Sequence, residues 1–246
     1  MSRSGAIGIA VVGAGGWGKN HVRNYAAIPD ADLRYICDRH EWIRESMAAL
    51  YPSVDVVSDL SVILQDPAVV TIVVATHGNS VANYLLGSFP QAVSATGSSY
   101  LQSERGIEDV VFATLHYPDA RMAHIHVSWL DPHKTRKLTV VGDRKMAVFD
   151  DTSADQKLAV FDKGVEPPAT LSYEEGVRIR TGDILIPALK MAEPLRRECQ
   201  AFLEADRTRK APVADGASGL HVVRALEGGS ASLAEGGARI ELPGGR

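Results

Sequence analysis

Only two cysteines, Cys37 and Cys199, occur in the 246 residues. So few build no disulfide framework, and neither has a companion at metal-ligand spacing, so no metal site and a reducing cytoplasm are expected. No apolar run approaches the roughly 20 residues that a membrane helix requires, so no membrane partner is expected either. Met1-Ser2-Arg3-Ser4-Gly5 leads straight into an apolar segment without the pattern of a secretory signal. Positive charge is not in excess: 26 Lys and Arg against 30 Asp and Glu leave a net charge of −4, which gives no electrostatic reason to expect nucleic acid. Internal repeats and low-complexity tracts are lacking. What remains, 45% hydrophobic and 23% charged residues, is ordinary for a globular chain able to bury a core.

Ala6 to Val12 is an apolar run with β-branched residues, the pattern of a strand buried on both faces. It breaks at Gly13-Ala14-Gly15-Gly16-Trp17-Gly18, and a helix is predicted from there to Ile28, ahead of Pro29-Asp30. A second strand over Leu33 to Cys37, a helix over Glu41 to Tyr51, a strand at Asp55 to Val57, a short helix over Leu60 to Leu64 and a strand over Ala68 to Ala75 follow. Strands alternating with helices predict a parallel sheet with right-handed crossovers. After Thr76 the texture changes. Beyond a helical fragment at Val81 to Leu86, strand signals succeed one another at Ala92 to Tyr100, Asp109 to Tyr117, Arg121 to Leu130, Lys137 to Gly142, Lys145 to Asp150 and Lys157 to Phe161. Breaks at Pro118-Asp119 and Gly142-Asp143 suit antiparallel hairpins. Helices over Glu193 to Glu204 and Ala217 to Ala234 precede a Gly-rich tail expected to fray. The expected fold class is α/β: a truncated Rossmann-type parallel sheet over residues 1–88, then an α+β domain with a mostly antiparallel open sheet over 89–246.

Gly13-x-Gly15-x-x-Gly18 lies between a buried strand and a helix, where a dinucleotide needs it. Gly13 permits the tight turn, Gly15 lets the backbone approach a pyrophosphate, and Gly18 allows close helix–strand packing, with Gly16 and Trp17 completing the loop. Asp38, twenty positions after Gly18 at the end of the second strand, can accept hydrogen bonds from the adenosine ribose. The same stretch nearly spells the G-x-x-x-x-G-K of an NTPase loop, but Asn20 stands where a Ser or Thr hydroxyl would hold Mg²⁺. Asp38 favours NAD by repelling a 2′-phosphate. Arg39 can stack on adenine or pair with that phosphate, so NADP stays open; equally, Asp38 can cap the next helix with Arg39 in solvent.

Gly13 to Asn20, with Arg23-Asn24 one turn on, resembles the Gfo/Idh/MocA oxidoreductases, nearest the branch that dehydrogenates nucleotide sugars of the UDP-N-acetylglucosaminuronate type at C3. The resemblance resumes at Ser94 to Tyr100, Gly106 to Asp109, His124 to Pro132 and Leu138 to Gly142. It continues through Glu193-Pro194-Leu195-Arg196-x-Glu198-Cys199 and Asp215-Gly216-x-x-Gly219-Leu220-x-Val222-Val223. It implies a Rossmann domain holding NAD(P), with Ala75 and Thr76 among the cofactor-binding positions. It also implies a second domain whose open sheet covers the active site and builds a homodimer or homotetramer. A lysine from a Glu-Lys-Pro turn and a histidine, often followed by Asp, would serve the substrate.

Neither a Glu-Lys-Pro nor a His-Asp sequence occurs here. The block that carries both in the family lies between the motif matching Ala75-Thr76 and the helix matching Val81 to Leu86, joined here by His77-Gly78-Asn79-Ser80 alone. Such a deletion would leave a four-stranded remnant with an edge and an apolar face that something must cover. Replacement candidates are few. His77, after the fourth strand, can reach the nicotinamide ribose or act as a base, or be a loop histidine with no chemical role. His124 and His126 share a strand face without an apparent third metal ligand, which suits a substrate or subunit surface. Lys134, Arg136 and Lys137 can meet a nucleotide diphosphate or form a solvated rim. Two readings follow: an NAD(P)-dependent oxidoreductase acting on a sugar or nucleotide-sugar hydroxyl, or a non-catalytic dinucleotide-binding or oligomer-forming remnant. A third is a deletion in the gene that leaves a poorly folding product.

Overall fold

The structure is a computed structural model that describes residues 6–69, 71–74, 81–101, 103–166 and 178–244. Two compact units are present: Met1–Val127 with Ala192–Arg246, and Ser128–Met191. The fold class is α/β, a parallel sheet first and antiparallel sheets after it.

In the first unit, β1 (Ile7–Val12), β2 (Ala31–Cys37), β3 (Asp55–Val57) and β4 (Thr71–Val74) form a parallel sheet in the order β3-β2-β1-β4. The helices between them are α1 (Gly18–Ala27), α2 (Glu41–Leu50) and α3 (Leu60–Leu64). β1 is buried on both faces because its neighbours supply apolar partners to each. On one face Ile9 and Val11 pack with Val22 and Tyr25 of α1, Leu33 and Ile36 of β2, and Ile43 and Met47 of α2. On the other, Ala10 packs with Cys37 and with Ile63 of α3. The ladder shifts between Ile9 and Ala10, and Arg34, the extra residue on β2, bonds to Asp32 and Asp66.

The apolar face expected to need a cover has one. Cys199 and Leu203 of α5 (Pro194–Thr208) complete the Ile9–Val11 cluster and are 1% and 3% exposed. Burying an apolar side chain of this size contributes about 1.5–3 kcal/mol. Glu193, immediately before α5, fixes it by accepting from Asn24 of α1 at 3.1 Å and pairing with Arg23.

The same unit holds a second, antiparallel sheet: β5 (Ala92–Ser98), β6 (Val110–His116), β7 (Met122–Ser128) and β12 (Ile240–Glu241), in the order β12-β5-β6-β7. α4 (Val81–Leu86) and α6 (Gly216–Ala234) cover one face, with Val93, Leu115 and Tyr117 at the centre. The tail expected to fray is instead this sheet's edge strand. Ile240 pairs with Val93, and the Leu242 N–H donates to the Gln91 carbonyl at 2.7 Å. Ile240 and Leu242 are apolar at alternate positions, so pairing places both against the α6 core.

In the second unit β8 (Lys137–Val141), β9 (Met146–Asp150), β10 (Leu158–Glu166) and β11 (Arg178–Leu185) form an antiparallel meander in sequence order. β10 runs five residues past the predicted Phe161, and β11 was not predicted. One of its polar side chains is held by β10 and the β8–β9 turn: Arg180 donates to Asp162 at 2.6 Å and to the Arg144 carbonyl at 2.8 Å. Among the described residues, no helix is long and apolar enough to cross a membrane.

Candidate functional site

The β1–α1 turn is built as its glycines require. Gly13 adopts φ +86°, a left-handed conformation that a side chain would strain, and its N–H donates to the Cys37 carbonyl at 2.8 Å, tying the turn to the end of β2. A Cβ on Gly15 would meet nothing nearer than Ile43 Cδ1 at 3.9 Å, and one on Gly16 nothing within 4 Å. Among the described residues nothing fills the space above these two glycines, and a phosphate could approach their backbone. Gly18, the first residue of α1, is buried. Trp17 holds the cap position. Its indole can only donate, so no side-chain oxygen takes up the helix N–H groups, and the first turn carries no acidic residue. An uncapped helix start with its positive dipole end suits an anion. These features fit a pyrophosphate, although the N–H groups of Gly13, Ala14, Lys19 and Asn20 are already taken by Cys37, Asp38, Gly15 and Trp17.

Asp38 sits where the spacing predicts, just past β2, and its carboxylate is bonded by the protein itself. Its Oδ2 accepts from the Ala14 N–H at 2.9 Å, and its Oδ1 from the His40 N–H at 2.9 Å, with the His40 Nδ1 at 3.1 Å. Burial pushes this carboxyl upward, but the N–H groups of His40 and Ala14 and the His40 ring outweigh it and hold it below the ordinary aspartate value. The carboxylate thus braces the glycine turn against the start of α2. Arg44, one turn into that helix, donates to the carbonyls of Asp38 at 3.0 Å and Arg39 at 2.8 Å, fixing the connection, while the Arg39 side chain is exposed. His40 and Arg44 escaped the sequence reading. The signal was there in Asp38-x-His40, an Asx-turn spacing, with Arg44 four positions past the helix cap.

The structure brings Gly13, Gly15, Gly16, Trp17, Gly18, Asp38 and Arg39 to the carboxyl ends of β1 and β2, where ligands of doubly wound sheets bind. Ala75, Thr76 and His77 lie outside the described residues. His124 and His126 occupy the exposed face of β7, where the Phe112 ring stacks on His126 at 4.5 Å and lies 6.3 Å from His124. Among the described residues no group of three or more His, Cys, Asp or Glu is placed to hold a metal. In the second unit Arg136 and Lys137 pair with Asp151 and Asp150, each at 3.4 Å, and Lys134 is exposed. A cleft of about 480 Å³ beside α4 and the start of α6, lined by Asn83, Tyr84, Phe89 and Asp215, shares no residue with the glycine turn.

Residues 49–148, from the end of α2 to β9, match the profile of the GFO/IDH/MocA C-terminal domain. No protein of curated function matches the sequence. Solved structures match over nearly the whole chain. A levoglucosan dehydrogenase in complex with NADH superposes with a TM-score of 0.74 at 13% identity, covering 97% of this chain and 99% of that one. For the UDP-N-acetylglucosamine 3-dehydrogenase of Acidithiobacillus ferrooxidans the values are 0.69, 14%, 93% and 98%. For the aldose-aldose oxidoreductase of Caulobacter crescentus they are 0.68, 13%, 96% and 100%. At such identities the likeness shows a shared fold.

Proposed function

We propose that this chain is a cytoplasmic GFO/IDH/MocA oxidoreductase that binds NAD at the β1–α1 turn and acts on a hydroxyl of a sugar or nucleotide sugar. The observation that carries the reading is the uncapped turn Gly13 to Gly18 braced by Asp38. In this assignment the backbone from Gly13 to Gly18 cradles the pyrophosphate and Asp38 meets the adenosine ribose. Arg39 would stack on the adenine, and Ala75 and Thr76 are assigned to the cofactor site from the sequence alone. Residues 1–88 form the cofactor domain, and residues 89–246 a substrate and oligomer domain that pairs copies through its sheet. The profile match and the dehydrogenase activities of the structural neighbours support the oxidoreductase part of this reading.

A bound nicotinamide supplies the hydride acceptor, and a base must take the hydroxyl proton. The chain has no Glu-Lys-Pro and no His-Asp, and this observation favours the second reading for turnover: a dinucleotide-binding scaffold that lost its catalytic segment between Thr76 and Val81. His77 is the remaining candidate base. Titration with NADH, followed by its fluorescence, tests the first claim; no binding at millimolar cofactor overturns it. Incubation with NAD⁺ and UDP-sugar acids, read at the reduced-nicotinamide absorbance band, separates the two readings. Turnover that appears only when the Glu-Lys-Pro and His-bearing block is restored establishes the scaffold.

A further inference from the structure

Asp38 has little acceptor capacity left for a ribose. A carboxylate offers about four acceptor positions. Oδ1 faces both the backbone N–H and the ring Nδ1 of His40, and Oδ2 takes the Ala14 N–H. Among the described residues these contacts leave one position, on Oδ2. The adenosine ribose of NAD presents two adjacent hydroxyls, and binding both requires the His40 ring to leave. The ring is free to do so, because its side chain is 48% exposed whereas the Asp38 carboxylate beneath it is 7% exposed.

We propose, on the reading that a dinucleotide binds here, that His40 is a specificity-determining residue whose protonation shifts the site from NAD toward NADP. The neutral imidazole bonds to Asp38 only in the tautomer that carries hydrogen on Nδ1; in the other, two acceptors face each other and the ring swings away, exposing Oδ1 to the ribose diol. The imidazolium always donates, holds Oδ1, and places a positive charge beside the 2′ position, where Arg39 is exposed on the same turn. A 2′-phosphate then meets two cations and a neutralised carboxylate.

Other charged groups lie around this turn among the described residues. They are Arg44, committed to the Asp38 and Arg39 carbonyls, Glu41 at the start of α2, and Asp59, which acts on the neighbouring Cys37 from the β3–α3 side. The Trp42 ring, tilted 6.5 Å from His40, is uncharged.

Calorimetric titration of the whole chain with NAD⁺ and with NADP⁺ between about pH 8 and about pH 6 tests this. The ratio of the NADP⁺ to the NAD⁺ dissociation constant should fall about tenfold on acidification, the scale of one charge-assisted hydrogen bond. The phosphate's own protonation near pH 6 works against that trend, so a fall is not its doing. In His40→Asn, which keeps a donor but does not titrate, and in His40→Ala, the ratio should be flat or rise. A flat ratio in the unaltered chain, or the same fall in both variants, overturns the role of His40 while leaving the cofactor site standing. Absence of binding by either dinucleotide at every pH overturns both.

Discussion

Glu193 accepts a hydrogen bond from the Asn24 side chain at 3.1 Å across 169 residues, and its carboxylate also pairs with Arg23. This contact ties α5 to α1, so that Cys199 and Leu203 roof the apolar face of the parallel sheet. Asn24 is 3% exposed, and replacing it with alanine should cost about 1–3 kcal/mol, the range for removing a buried hydrogen-bond partner. For a chain of this size that is a fall in melting temperature of about 2–4 °C per kcal/mol. A melting temperature unchanged in Asn24→Ala would mean that the Asn24–Glu193 hydrogen bond does not hold α5.

The same carboxylate sets a pH dependence. The Asn24 amide first, and then the Arg23 and Arg196 guanidinium groups, hold the Glu193 carboxyl below its ordinary value against the upward push of partial burial. A depressed folded value means that the contribution is present above the unfolded carboxyl range and is lost as pH falls through the folded one. Below about pH 4.3 the unaltered chain should therefore lose stability faster than Glu193→Gln. Equal acid slopes for the two proteins would remove Glu193 from the account.

Asp38→Ala removes the acceptor of the Ala14 and His40 N–H groups together. The glycine turn then loses its brace to α2, and two effects should appear at once: stability lower by about 1–3 kcal/mol, and dinucleotide affinity lower by tenfold or more. Measuring melting without ligand beside NADH titration separates them. Full stability with lost affinity would make Asp38 a ligand contact and not a brace.

Two glycines of the turn should respond in opposite ways. Gly13→Ala places a side chain at φ +86° and should destabilise the unliganded chain by about 1 kcal/mol or more. A methyl on Gly15 has only Ile43 Cδ1, at 3.9 Å, in reach, so Gly15→Ala should leave the melting curve in place. It should nonetheless block NADH, because the methyl occupies the approach to the backbone. NADH bound with undiminished affinity by Gly15→Ala would place the cofactor elsewhere.

The legible parts of this molecule are local in sequence. The glycine turn, the β2 end and Asp38 lie within 26 positions of one another, and the short helix Leu60–Leu64 and the fragment Val81–Leu86 appear with the bounds that their periodicity predicts. The illegible parts depend on distant partners. Nothing in Pro194–Thr208 says that its apolar face completes a cluster around Ile9, or that Glu193 meets Asn24. β11 reads as polar because Arg180 finds Asp162 and the Arg144 carbonyl only once the sheet has formed, and Ile240–Glu241 is a strand only because β5 offers an edge. Asp38 was found by spacing, whereas its bond to Ala14 required the turn to be folded.

That β5 edge supplies a further test. β12 pairs with Ala92 and Val93 and then stops, and the next outward N–H, from Ala95, donates to the Ser232 Oγ of α6 at 2.8 Å. The same hydroxyl donates to the Ala238 carbonyl at 2.6 Å and is wholly buried, so a helix side chain continues the ladder where the strand ends. Ser232→Ala should strand both groups and cost about 1–3 kcal/mol, read as a fall in melting temperature, whereas Ser230→Ala, on the exposed side of the same helix, should stay within about 0.5 kcal/mol. Hydrogen exchange at Ala95 would localise the effect: its amide should be among the slow ones in the unaltered chain and fast in Ser232→Ala. An Ala95 amide equally slow in both would mean that β5 keeps its edge closed without α6.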